Sequence, residues 1–246
     1  MKESELRTVH LISGRGSTVL RIVNESVCGE LVGKVKPVLV ITNNQNSEAI
    51  SLIRAMGVRC ETVRRNKRSR EEFGDEIIKL IREVGGDILF QNGWLAYTPE
   101  NVVNEFPGMI FNQHPGPLDS HNRDNAGNLL HFGGEGMYGI RVHAAVLKFQ
   151  ELAQRNFPTE ATIHIVTPEF DGGEVVARSE VEVCHGDTPE ELAGRVLPVE
   201  HETHIVFLSQ LHEGKVEIKN RKIPLIKKGE ENLLYQSKKH AINTYP

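Results

Sequence analysis

The residues Asn112, Gln113 and His114, followed by Pro115, place an amide and an imidazole at the end of an apolar run. Asn112 and His114 are two positions apart, so in a β-strand both side chains point to the same face. Pro115 cannot continue a strand ladder, which predicts that the strand stops where these two groups emerge. An amide donor beside an imidazole suits the oxyanion of an acyl-transfer reaction. A strand-end pair that only satisfies loop carbonyls is the alternative interpretation.

A carboxylate could act together with this pair. Asp171 stands directly before Gly172 and Gly173. By itself this pattern predicts only a turn. If Asp171 approaches His114, its negative charge favours an imidazolium, which is a better hydrogen-bond donor and a better acid.

The segment Gly14-Arg15-Gly16-Ser17-Thr18 follows the first predicted strand and opens the first predicted helix. Backbone N–H groups at such a helix start can bind a phosphate, whereas a tight turn without a ligand is the alternative. The segment lacks the third glycine of a dinucleotide fingerprint and the Gly-Lys-Ser/Thr of a P-loop. No acidic residue lies between Leu31 and Ser47, where a ribose-binding carboxylate is expected. The pattern therefore argues against a nicotinamide or ATP site.

Short apolar runs alternate with helical patterns in the first half of the chain. The predicted strands are Thr8–Ser13, Pro37–Thr42, Val58–Val63, Asp87–Gln91 and Met109–Gln113, and the predicted helices are Ser17–Cys28, Ser47–Met56 and Ser69–Val84. Such alternation is typical of βαβ units and a parallel sheet, which binds its ligands at the carboxyl ends of the strands. We therefore predict an α/β fold with a Rossmann-like, mostly parallel sheet flanked by helices.

The second half has a different order of elements. It predicts a polar loop over Pro115–Asn128, a helix over Gly139–Gln154, strands over Ala161–Thr167 and Glu174–Val183, and a helix from the Thr188 capping box to about Leu211 with a kink or break at Pro198. The simplest organisation is one catalytic domain over 1–225, with an insertion near 137–160, and a C-terminal extension over 226–246.

Composition limits the class of protein. The 246 residues carry a formal net charge of −4, with 39% hydrophobic and 25% charged residues, which excludes an overall basic nucleic-acid binder. No apolar run approaches the roughly 18 residues of a membrane span. Cys28, Cys60 and Cys184 form no Cys-x-x-Cys pair, which favours a reducing cytoplasm and argues against a structural zinc. We expect a cytoplasmic protein that uses no metal.

Three fragments in a fixed order resemble one family. Asn112-x-His114-Pro115, then His164-x-Val166-Thr167, then Asp171-Gly172-Gly173 resemble the folate-dependent formyltransferases, most closely those that formylate glycinamide ribonucleotide (GAR). The resemblance runs from about Val9 to Val216. It implies the formyltransferase fold and direct transfer of the formyl group of 10-formyltetrahydrofolate to the amine of GAR in purine biosynthesis.

The resemblance also implies roles for individual residues. Asn112 and a protonated His114 would stabilise the oxyanion of the tetrahedral intermediate, while Asp171 holds His114 charged and helps to move the proton. His164 would support this group, and Glu200 would hold the ribose of GAR. The phosphate of GAR is assigned to Gly16, Ser17 and Thr18, and the folate to Arg70, Trp94, Leu95, Thr98 and Thr167.

The chain departs from the family's usual residues on the acceptor side, and also at Ala96, which replaces an arginine that is common beside the folate pocket. The positions on the acceptor side are Arg15–Thr18, Leu197-Pro198 and the apparent insertion near 137–160. Two alternatives therefore stay open: formylation of a nucleotide-linked amino sugar or another amine, and a non-catalytic regulator that binds folate or a nucleotide. The predicted partners are small molecules, with neither nucleic acid nor membrane, and a homodimer is left open.

Overall fold

The computed structural model describes residues 4–44 and 48–245. The strands are β1 (Leu6–Ile12), β2 (Val35–Thr42), β3 (Arg59–Thr62), β4 (Ile88–Gln91), β5 (Ile110–His114), β6 (Thr159–Ile165) and β7 (Val175–Val181). The helices are α1 (Ser17–Cys28), α2 (Glu48–Ala55), α3 (Arg70–Val84), α4 (Glu100–Glu105), α5 (Ile140–Ala153), α6 (Pro189–His212) and α7 (Glu231–Thr244). Ser47, the first residue of the predicted second helix, lies outside the described residues.

The seven strands are hydrogen-bonded in the order β3-β2-β1-β4-β5-β6-β7. The pairs from β3 to β5 are parallel, and β6 pairs with β7 antiparallel. The predicted α/β class with a mostly parallel sheet flanked by helices is therefore confirmed.

The chain divides into two compact units, the first being Met1–Asn112 with His204–Val216 and the second Gln113–Thr203 with Glu217–Pro246. In the first unit the apolar faces of α1 and α2 pack on β1, β2 and β3 in one buried cluster that includes Ile12, Val23 and Ile53. The capping box at the start of α3, a motif visible in the sequence, is formed in the structure. The Ser69 hydroxyl accepts from the Glu72 N–H at 3.1 Å, and the Glu72 carboxylate accepts from the Ser69 N–H at 2.8 Å.

The second unit has its own core between α5 and the C-terminal helix α7. Phe149 from α5 and Leu234 and Ala241 from α7 belong to one fully buried cluster. An ion pair reinforces this packing, because Arg155 donates to Glu230 at 2.7 and 2.8 Å. Helix α7 is thus packed by both apolar and charged contacts. The division into 1–225 and 226–246 stays a prediction.

Helix α6 continues from Pro189 to His212 through Pro198, so the predicted alternative of a break at that residue is wrong. A proline removes one N–H and crowds the preceding turn, but apolar burial on both sides offsets this cost. Leu192 and Val196 are buried before the proline, and Phe207 is buried after it.

Candidate active site

His114 is the last residue of β5, and the strand ends there as Pro115 predicts. Its side chain is 3% exposed. The Thr162 hydroxyl of β6 donates to the His114 carbonyl at 3.2 Å and to the Gly116 carbonyl at 3.0 Å, so the bend after β5 is held from the next strand. A side chain at position 116 would meet Val142 of α5 at 2.3 Å, which explains the glycine. The imidazole is therefore fixed at a strand end.

Asp171 lies close to His114, as the resemblance implied. Its Oδ2 is 3.8 Å from His114 Nδ1 and accepts the Gly134 N–H at 2.7 Å. Asp171 has a φ of 53°, a left-handed conformation that Asp tolerates better than most residues. Gly173 makes this turn feasible, because a Cβ there would lie 1.8 Å from the Ile165 carbonyl oxygen.

His164 is the second imidazole beside Asp171. Its Nε2 lies 3.3 Å from Asp171 Oδ1, and its Nδ1 lies 2.9 Å from the Ile165 carbonyl oxygen. His164 therefore lies between the Asp171 carboxylate and a backbone carbonyl of its own strand.

The charge on His114 differs from the expectation. Burial lowers the pKa of His114 to about 4, and the nearby Asp171 carboxylate, which acts in the opposite direction, does not offset it. The pKa of Asp171 itself lies below its ordinary value: burial opposes the charge, but the interactions with His114 and His164 outweigh it. At neutral pH these shifts favour a neutral His114 and an ionised Asp171. This direction opposes the expectation that Asp171 holds His114 charged, which stays a prediction for the reaction itself.

Three residues close to His114 and Asp171 belong to no sequence motif: His131, His143 and Lys238. His131 is 2% exposed and its Nδ1 accepts the Gly133 N–H at 2.8 Å, while His143 of α5 is 3% exposed. Lys238 of α7 donates to the Gly133 carbonyl at 2.6 Å. The run of glycines at positions 133, 134 and 136 is the only local signal that could have drawn attention to this segment.

The proposed phosphate segment lies in the first unit, at the start of α1. Gly16 is the residue before the helix and has a φ of 73° and a ψ of 20°, the left-handed region that favours glycine. Ser17 and Thr18 form the first turn of α1, where the helix dipole favours a negative charge. The role of this segment in anion binding stays a prediction.

The residues assigned to folate are also found mainly in the first unit. Trp94 is 7% exposed and stacks on Phe73, with ring centroids 6.3 Å apart and planes inclined by 5°. Leu95 beside it is 57% exposed. Thr98 is buried and accepts from Gln91 at 2.7 Å. Trp94 thus anchors the segment, and Leu95 is its accessible apolar side chain.

The other two residues assigned to folate binding, Arg70 and Thr167, belong to different units. Arg70 is exposed, and its guanidinium lies 4.7 Å from the centroid of the Tyr97 ring. Thr167 belongs to the second unit, between His164 and Asp171, where its hydroxyl donates to the Glu169 carbonyl at 3.1 Å. Tyr97 was not identified from the sequence, because an isolated tyrosine gives no signal of its own.

Glu200 lies on α6 in the second unit and is partly exposed. Burial raises the pKa of its carboxyl to about 7, and a hydrogen bond with the Gln113 side chain acts in the opposite direction. Gln113 lies between Asn112 and His114 on β5, so its side chain points to the other face of the strand. Glu200 is therefore fixed from that face.

Within residues 4–44 and 48–245, no group of three or more His, Cys, Asp or Glu side chains could hold a metal ion. None of the helices in the part of the chain that the structure describes is long and apolar enough to cross a membrane.

The chain is similar to a known protein family, to named relatives and to solved structures. The family model described as formyl transferase matches residues 6–208. A chloroplastic phosphoribosylglycinamide formyltransferase of Arabidopsis thaliana is 33% identical over 217 residues, which cover 87% of this chain and 68% of the relative. The phosphoribosylglycinamide formyltransferase of Escherichia coli K12 is 24% identical, with 87% and 90% covered. The crystal structure of glycinamide ribonucleotide transformylase 1 from Symbiobacterium toebii aligns with a TM-score of 0.71 and 25% identity over 88% of this chain and 92% of that one.

Proposed function

Because this chain belongs to the formyl transferase family, we propose that it transfers the formyl group of 10-formyltetrahydrofolate to the amine of GAR in purine biosynthesis. Relatives that cover most of this chain are named for that reaction. The observation that carries the proposal is the buried cluster of His114, His164 and Asp171, directly after the strand position of Asn112. A protein that only binds its ligands has no need of this arrangement.

The transfer requires a charge to be stabilised and a proton to be moved. The amine attacks the formyl carbon, the formyl oxygen becomes an oxyanion, the bond to N10 of the folate breaks, and one proton passes from the amine to N10. We assign oxyanion stabilisation to the Asn112 amide. His114, neutral in the resting protein, accepts the proton of the amine and becomes a donor itself. Removal of one such donor typically costs about 3–4 kcal/mol of transition-state stabilisation.

Asp171 and His164 prepare His114 for this role. A positive charge on His114 is unfavourable in a buried site unless a carboxylate lies nearby. Asp171 Oδ2, 3.8 Å from His114 Nδ1, supplies that charge at the moment when the proton arrives. The hydrogen bonds from Gly134 and His164 fix the carboxylate in place. The turn that holds Asp171 is thus a preorganised environment for a positive charge on His114.

The substrates are assigned to the remaining residues. We place the phosphate of GAR at Gly16, Ser17 and Thr18, where a helix start and a left-handed glycine favour an anion. Glu200 is assigned to the ribose hydroxyls. Folate contacts are assigned to a larger group: Arg70, Trp94, Leu95, Thr98 and Thr167.

The cellular setting is part of the proposal. Cys28, Cys60 and Cys184 are all free thiols, which suits a reducing compartment such as the cytoplasm. Two small molecules, folate and a phosphorylated amine, are the proposed partners, and the reaction as written needs no metal. Nucleic acid has no part in it.

A test of the function compares acceptors. Purified protein is incubated with 10-formyltetrahydrofolate and GAR, a nucleotide-linked amino sugar, or no acceptor, and loss of the formyl group is followed by absorbance. We expect turnover with GAR that disappears in His114→Ala. Turnover only with the amino sugar would change the proposed acceptor. Folate binding without turnover with any acceptor would favour a regulator and contradict the proposal.

A further inference from the structure

The C-terminal helix α7 lies beyond residues 6–208, which match the family model, yet it reaches the cluster around Asp171. Lys238 on this helix donates to the Gly133 carbonyl at 2.6 Å. The next residue, Gly134, donates its N–H to Asp171 Oδ2 at 2.7 Å. One peptide unit therefore joins the ammonium group of α7 to the carboxylate.

We propose that Lys238 is a positioning residue for Asp171, and through it for His114, in the formyl transfer proposed above. Lys238 holds the Gly133–Gly134 segment by its carbonyl, so that the adjacent N–H points at the carboxylate. The inference rests on the proposed function for its effect on catalysis, whereas its structural part can be tested alone.

Close packing restricts the backbone of Gly133 and Gly134. A Cβ at position 133 would lie 2.7 Å from both Cβ and Oδ2 of Asp171, so the Gly133 backbone is in close contact with that side chain. Gly134 has a φ of 106°, a conformation that only glycine adopts readily. A Cβ at position 134 would have the Lys238 Nζ 3.9 Å away. The ammonium group thus lies against the two glycines that shape the carboxylate's surroundings.

The charge of Lys238 has a second effect. Burial lowers the pKa of Lys238 to about 8, with Asp171 acting in the opposite direction, so the ammonium form predominates at neutral pH. Its positive charge disfavours a second positive charge on His114. The other ionisable groups near His114 come from several elements. They are Asp171, His164 of β6, His131 of the loop between β5 and α5, and His143 of α5.

The packing of α7 brings Lys238 to this place. Leu234 and Ala241 on the same helix are fully buried against α5, and the Ser237 hydroxyl donates to the Leu233 carbonyl at 2.7 Å. Arg141 at the start of α5 donates to the Tyr245 carbonyl at 2.7 Å, which fixes the end of α7. The helix is therefore anchored on both sides of Lys238.

The test compares Lys238→Met with Lys239→Met in the full chain. Methionine keeps the aliphatic stem and removes the donor and the charge, while Lys239 is the exposed neighbour on the same helix. We expect kcat to fall about tenfold in Lys238→Met, with the KM values for folate and GAR within about twofold, because the variant disturbs positioning and not substrate binding. Lys239→Met should match the wild type in both constants.

Imidazole NMR gives a readout that does not need turnover. In Lys238→Met the titration of His114 should move to higher pH and the amide signal of Gly134 should shift, whereas Lys239→Met leaves both in place. If the wild type transfers no formyl group, the proposed function fails, and these spectra still decide the role of Lys238. Wild-type kcat with unchanged His114 and Gly134 signals in Lys238→Met would overturn the inference. If Lys238→Met does not fold, Lys238→Leu, which also carries neither a donor nor a charge, replaces it, with the same two outcomes.

Discussion

The backbone of Gly133 packs against the side chain of Asp171, so Gly133→Ala tests whether the position of this carboxylate controls formyl transfer. The new Cβ would lie 2.7 Å from Asp171 Oδ2, whereas ordinary contact begins near 3.4 Å, so the groups must separate by 3.4 − 2.7 = 0.7 Å. Asp171 is held by Gly134 and His164, and a movement of this size breaks the geometry of at least one of these contacts. A misplacement near 1 Å costs about 10²-fold in rate. We therefore expect kcat for formyl transfer to fall about 10²-fold.

The loss of stability in Gly133→Ala must be separated from the loss of activity. Overpacking of a buried position costs about 1–3 kcal/mol, and each kcal/mol lowers the melting temperature of a domain of this size by about 2–4 °C. The assay measures kcat at 25 °C together with thermal unfolding, so that loss of folded protein is separated from loss of chemistry. A Gly133→Ala protein that is folded and retains wild-type kcat would refute the control of formyl transfer by the position of Asp171.

Gly194→Ala is the matched control for this experiment. Gly194 lies on an exposed part of α6, and a Cβ there has no atom within 4 Å. Alanine in a helix interior is favoured over glycine by about 0.5–1 kcal/mol, so this variant should be slightly more stable and equally active. Similar losses of activity in both variants would indicate a general effect of the substitution.

Three further predictions concern other parts of the molecule. Gly16→Ala forces a left-handed conformation on alanine at about 1–2 kcal/mol, so the KM for GAR should rise about tenfold in steady-state kinetics, and an unchanged KM would remove the phosphate from this loop. Thr188→Ala removes the capping box of α6 and should lower the free energy of unfolding by about 1 kcal/mol in urea while kcat stays constant; a loss of activity in the folded variant would contradict this. Burial lowers the pKa of His10 to about 4, so the unfolded chain binds more protons between pH 4 and 6.5 and stability falls as the pH drops through this range. Between pH 7 and pH 5 the wild type should therefore lose about 2 kcal/mol more stability in urea than His10→Gln does, and an equal loss in both proteins would contradict it.

Local sequence signals predicted the framework of the fold well. The capping box of Ser69 and Glu72 set the start of α3, and Pro115 marked the end of the strand that carries Asn112 and His114. The resemblance to the folate-dependent formyltransferases, which rested on short motifs, is confirmed by the family match. These features succeeded because each depends on residues that are close together in the sequence.

Features that depend on distant residues were missed. Helix α4 has only six residues, too few for an apolar period, and α7 buries only Leu234, Ser237 and Ala241 on a polar sequence. Lys238 follows Gly133 by 105 positions, so no motif could connect them. Burial lowers the pKa of His114, and burial is not visible in a sequence. The predicted roles of the site residues stay predictions until they are tested.

The fate of the formyl group tests the central claim most directly. With 10-formyltetrahydrofolate labelled with ¹³C in the formyl group, NMR distinguishes a formyl amide on GAR from free formate. We predict that the label appears on the amine of GAR with the wild type, and that Asn112→Ala lowers this rate by about 10²–10³-fold without unfolding the protein. Label that appears only as formate, or transfer to GAR that persists at the wild-type rate in Asn112→Ala, would contradict the account.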